Sequence, residues 1–139
     1  MKTLFNFKFN LQSGLALLFS GAVLCSFTMQ HVAKKWDAPA SAKSISNPVK
    51  TSASSISEGK NLYMKDCKSC HGAKGKGDGP KAENLDVSCK DFTKADFQKQ
   101  SDGEIFWKIT NGRDPMPTFK SKTEAEDRWN LVNYLRTLK

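Results

Sequence analysis

Cys67-Lys68-Ser69-Cys70-His71 is a C-x-x-C-H pentapeptide, and it sets the chemistry of this 139-residue chain. On a helical turn the two cysteines, at i and i+3, share a face, so both sulfurs can bond the vinyl groups of one porphyrin. The histidine that comes directly after is then held beneath the iron as its proximal ligand. The spacing implies a covalent haem c, one per chain. A second element lies downstream in Asp114-Pro115-Met116-Pro117-Thr118-Phe119. The flanking prolines restrict the backbone on either side and present Met116 from a stiff extended loop, as a candidate sixth ligand to the iron. Met64, just before Cys67 on the same expected helix, cannot reach the opposite face.

Other chemistries compete for the same residues. Cys67, Cys70, His71 and Cys89 contain the donor types of a Cys3His zinc site, but structural zinc sites usually bring two short-spaced pairs and Cys89 stands alone. A redox-active dithiol belongs on a βαβ scaffold, for which there is no strand pattern. The glycines at 72, 75, 77 and 79 fit neither G-x-G-x-x-G nor G-x-x-x-x-G-K-[ST], so they read as a flexible connection.

The formal charge is +8, yet most of it lies outside the region with globular character. From Ile56 to Lys139 there are 16 basic and 13 acidic side chains, against 6 and 1 before Ile56. No nucleic-acid surface is implied. Lys60, Lys65, Lys68, Lys74, Lys76 and Lys81 flank the cysteine motif and would steer an acidic protein partner towards it. With two cysteines consumed by the cofactor, Cys25 and Cys89 leave no disulfide framework.

Along the chain, residues 1–33 read as a signal or membrane-anchor segment. The apolar run from Leu11 to Met29 is just long enough to cross a bilayer, and no small-x-small cleavage site comes closely after it. An uncleaved anchor is therefore expected, with a cleaved signal as the alternative; lipidation at Cys25 is a minor option because Leu24 fits poorly before it. Residues 34–54, rich in Ser, Ala, Pro and Lys, read as a linker or a surface-docked extension. Residues 55–139 form the domain. Ser55-Ile56-Ser57-Glu58 has the form of a capping box opening a helix into the cysteine motif. Lys94 to Gln98 reads as a short helix, and Asp102 as the cap of another stopped by Gly112. Ser121 to Lys139 carries the strongest helical period, with Leu131, Val132, Leu135 and Leu138 on one face.

With Cys67 to His71, Gly79-Pro80, Met116 and an aromatic terminal helix in order, residues 56–139 resemble the class I monohaem cytochromes c. The resemblance implies an all-α fold, three to four helices wrapped around the haem, after an apolar N-terminal helix and linker. It implies that Gly59 and Tyr63 on the first helix face Trp129 or Tyr134 on the last. The Pro80 carbonyl is expected to accept the Nδ1 proton of His71. Trp107 and Arg113 stand where such proteins often neutralise or hydrogen-bond a haem propionate, and residues 36–48 are similar to an N-terminal extension of some bacterial members. Cys89 is a departure from the pattern.

The expected function is a one-electron carrier without bond chemistry, its iron held by His71 and Met116 in a respiratory chain. It would sit on the outer, periplasmic face of the cytoplasmic membrane, anchored, or be soluble there after signal cleavage. It would act as a monomer or as a subunit of a respiratory complex. The alternatives are a five-coordinate haem sensor, with Met116 only structural, and a fixed electron-entry subunit of a larger oxidoreductase.

Overall fold

A computed structural model describes residues 35–139. The expected anchor, including Leu11 to Met29 and Cys25, lies outside the described residues. Among the described residues there is no β-strand, and no helix is long and apolar enough to cross a membrane. The helices are α1 (Ala40–Lys43), α2 (Ala53–Leu62), α3 (Lys68–His71), α4 (Ala95–Gln98), α5 (Asp102–Asn111) and α6 (Ala125–Leu135). A π-helical turn, Tyr63–Cys67, joins α2 to α3, and a 3-10 turn spans Ala82–Asn84. The expected all-α architecture is present.

The start of α2 differs from the expected box. Ser52 is the N-cap: its hydroxyl accepts from the Ser55 N–H at 3.1 Å, while the Ser55 hydroxyl accepts from the Ser52 N–H at 2.9 Å. Ser55 is 5% exposed, within the packed part of the helix. Glu58 is thereby released to accept a 2.8 Å bond from the Asn130 side chain on α6. In α5 the cap is Ser101, paired reciprocally with Glu104 at 3.2 and 2.8 Å. Asp102, expected to cap, instead takes a 2.7 Å bond from Arg136.

The core is made where α2 meets α6. A Cβ at Gly59 would lie 2.0 Å from the Asn130 carbonyl oxygen, so only glycine lets the two backbones approach this closely. Tyr63, fully buried, packs its ring 5.2 Å from Tyr134. Trp129 takes a different partner, stacking on Phe106 of α5 at 3.9 Å. The pairing of Gly59 and Tyr63 with the last helix thus falls on Asn130 and Tyr134.

The sequence predicts a single apolar, buried face on α6, but every residue from Arg128 to Leu135 is buried. The side that carries Asn133 is covered by the segment before α2. Residues 36–51 form a strap along α5 and α6, with Ala38 and Ala42 buried. The Asn47 amide donates to the Asn133 side-chain oxygen at 2.9 Å, as does the Thr51 hydroxyl at 3.1 Å. The Asn133 amide nitrogen donates to the Val49 carbonyl and the Ser55 hydroxyl. A buried amide with all these partners is stable where an apolar neighbour would leave it unsatisfied.

Candidate haem-binding site

The π-helical turn places one extra residue before the cysteine motif, rotating the downstream chain by about 100° relative to an uninterrupted α2. Cys67 then serves as the N-cap position of α3, which ends in Cys70 and His71. Both thiols are free and half-buried, with Cys67 packed against the core. The next loop folds back on the motif: the Gly79 N–H donates to the Cys70 carbonyl at 3.1 Å and the Lys81 N–H to the Ser69 carbonyl at 2.8 Å.

The imidazole of His71 stacks on Phe92 at 4.5 Å, and Phe92 in turn lies 4.6 Å from Phe97. Burial holds His71 below the ordinary histidine value, the Lys90 main chain opposing the shift. Its Nδ1 is buried without a hydrogen-bond partner. The expected bond to the Pro80 carbonyl is therefore not made; Pro80 is exposed, and the ring is oriented by its aromatic neighbour instead. Phe92 escapes sequence reasoning, because a lone Phe in a polar loop carries no periodic signal.

Tyr63 reaches the same region from below, donating a 2.6 Å bond to the Gly72 carbonyl, directly after His71. Burial, with smaller contributions from Cys67 and Tyr134, raises its hydroxyl above the ordinary value of 10.0. The folded state thus keeps the phenol neutral while the unfolded chain ionises at its usual value. That stability is fully present below about pH 10 and is lost as pH climbs above it. Chemical denaturation from about pH 8 to 11 should show a decline that Tyr63→Phe shares only in part; an identical decline in both would exclude Tyr63 as its source.

Met116 is half-buried against the core. Its N–H donates to the Arg113 carbonyl at 2.8 Å and the Arg113 N–H donates back at 2.9 Å, closing a tight hairpin. Gly112 opens it with φ +64°, a conformation that favours glycine. Downstream, buried Arg128 donates to the carbonyls of Phe119, Lys120 and Thr123 and lies over Phe106, pinning the segment after Met116. Trp107 is half-buried in α5, its carbonyl taken by Asn111. The Arg113 guanidinium sits 4.8 Å from the ring centre of Trp36.

The donor set fits a haem c. Burial, then Asp66 and Cys70, pushes the Cys67 thiol up to about 12, so this position favours an uncharged sulfur such as a thioether. His71 is favoured as the neutral imidazole that metals bind. The zinc alternative does not assemble: among the described residues no three His, Cys, Asp or Glu side chains converge to hold a metal ion. Cys89 is half-buried, with its thiol raised mainly by burial.

The chain is similar to known proteins. A sequence model of the family described as cytochrome c oxidase, cbb3-type, subunit III matches residues 54–135. Cytochrome c6 of Anabaena variabilis is 34% identical over 80 residues, spanning 55% of this chain and 84% of its own length. The KustC0563 c-type cytochrome superposes with a TM-score of 0.52 at 35% identity, over 58% of this chain and 96% of that one. A chain of the Kuenenia stuttgartiensis reducing HAO-like protein complex Kustc0457/Kustc0458 gives a TM-score of 0.61 at 30% identity, over 66% of this chain. This chain spans 46% of that one's length. The chain belongs to the family matched over residues 54–135 and is a class I monohaem cytochrome c, an electron-transfer protein with covalently bound haem c.

Proposed function

We propose that this protein carries single electrons with its iron held between His71 and Met116. The observation that carries the reading is the Arg113–Met116 hairpin, which fixes the methionine main chain at both N–H and C=O. When bound, haem c supplies a one-electron iron couple whose potential a thioether raises. The chain's residues hold everything else in place. Cys67 and Cys70 tether the porphyrin, Phe92 orients the imidazole, and Arg128 secures the loop beyond Met116. Trp107 and Arg113 are assigned to the propionates.

The exposed lysines at 60, 65, 68, 74, 76 and 81 suit a redox partner with an acidic docking surface, approached by charge steering. Residues 11–29 would anchor the domain on the periplasmic face of the cytoplasmic membrane, within reach of respiratory complexes. Similarity to a cbb3-type oxidase subunit family and to a chain of an HAO-like complex favours a second form of the same role, a fixed subunit passing electrons within an assembly.

Met116→Ala is expected to lower the reduction potential by on the order of 0.1 V, a fraction of the roughly 0.8 V that axial ligands span. It should also admit carbon monoxide rapidly to the reduced protein, whereas the native protein is expected to resist it. Potentiometry and stopped-flow mixing check both. An unchanged potential, with rapid carbon monoxide binding already in the native protein, would point to the five-coordinate sensor.

A further inference from the structure

The strap runs antiparallel to α5. Ala42 meets the start of that helix, where a Cβ on Gly103 would lie 2.0 Å from the Ala42 carbonyl oxygen. Lys43 approaches the neighbouring Glu104 at 3.8 Å. Earlier in the strap, Trp36 has reached the other end of α5. Its ring centre lies 4.8 Å from the Arg113 guanidinium carbon and 5.9 Å from the Lys108 ammonium. Arg113 is also the residue whose main chain is bonded in both directions to Met116.

We infer that Trp36 is a positioning residue for the sixth iron ligand: the strap, seated on Gly103 and Asn133, clamps Arg113 by cation–π contact and thereby keeps the Met116 hairpin closed. This rests on Met116 being that ligand. The physical basis is a two-ended arrangement. Ala42 and Asn47 seat the strap by burial and hydrogen bonds, which orders Trp36 in advance, so little conformational entropy opposes its contact with the guanidinium. Arg113 lies in the exposed turn between α5 and the loop, so opening the hairpin has a cost to which each contact of its side chain adds. A clamp on its side chain raises that cost and lowers the fraction of time the methionine is away from the iron.

Imidazole added to the ferric full-length holoprotein reads that fraction, since it binds only where the methionine has left. Trp36→Ala should bind imidazole about tenfold more tightly than the native protein, and Trp36→Phe, which keeps an aromatic face, should stay within about threefold. Gly103→Ala reaches the clamp without touching Trp36. It favours α5 by helix propensity but drives a methyl group into the strap, so it should reproduce much of the rise. All variants are compared at a temperature where circular dichroism shows them folded, which separates ligand release from general loss of stability. Native-like affinity in both Trp36→Ala and Gly103→Ala, alongside tighter binding in Met116→Ala, would overturn the clamp and leave the ligand reading intact. If Met116→Ala binds imidazole no more tightly than the native protein, the ligand reading falls and the clamp with it.

Discussion

A chain carrying both Cys67→Ala and Cys70→Ala is expected to be colourless and to lose native helical circular dichroism. The basis is the distribution of apolar contacts. The buried cluster draws on α4, α5, α6 and the π-helical turn, together with Phe119, and α2 packs half-buried Ile56 and Leu62 against it, but the whole stretch from Gly72 to Lys94 contributes Phe92 alone. That loop holds only the short 3-10 turn Ala82–Asn84. A stretch this long without its own core needs something else to order it. The covalent porphyrin supplies an apolar body for it to fold on, as metals do in small domains that cannot close a core unaided. Unattached, the loop and the imidazole stacked on Phe92 lose that support, and a domain of this size has little stability to spare. Native-strength helical signal in the haem-free double variant would show that the polypeptide core suffices.

Gly59→Val should be the most damaging single substitution outside the ligand set. The added Cβ would meet the Asn130 carbonyl oxygen at 2.0 Å, its carbon at 2.5 Å and the Leu131 nitrogen at 2.9 Å. These are main-chain atoms of α6, which is buried from Arg128 to Leu135, and they cannot move aside by changing rotamer. Relief requires α2 and α6 to separate, opening the Tyr63–Tyr134 contact and the Glu58–Asn130 bond. Overpacking costs about 1–3 kcal/mol when side chains absorb it, and a backbone clash belongs at or above the upper end. For a domain of this length about 3 kcal/mol corresponds to a fall in Tm of roughly 15 °C. Calorimetry of the holoprotein checks it, and a fall smaller than about 5 °C would mean that the crossing has slack not visible in its geometry.

What is legible in the sequence is what local spacing determines. Cys67, Cys70 and His71 sit together within about one helical turn, and Gly112 stops α5 because its φ is positive. Ser55 and Glu58 mimic a capping box, but the partners that decide their roles, Asn133 and Asn130, lie far along the chain on α6. Asn133 lies off the apolar face read for α6, and nothing local announces that a strap will cover it. Trp36 is the one cue to that cover, a large aromatic in a Ser- and Pro-rich stretch. The ring orientation of His71 depends on Phe92, at the far end of the loop, so Pro80 looks from sequence like its natural partner.

The crossing of α2 with α6 also orders events in time. Glu58 and Asn130 are 72 residues apart, and Asn47 and Asn133 are 86 apart, so loop closure between them must precede the gain from either contact. A nascent chain has made the strap and α2 long before α6 leaves the ribosome, and neither has anything to pack on. Throughout that interval Cys67, half-buried in the finished molecule, lacks the core it later packs against. The topology thereby leaves the attachment site open until the chain is complete, and because the haem-free chain is expected to stay unfolded, the crossing closes over it only once the porphyrin is attached.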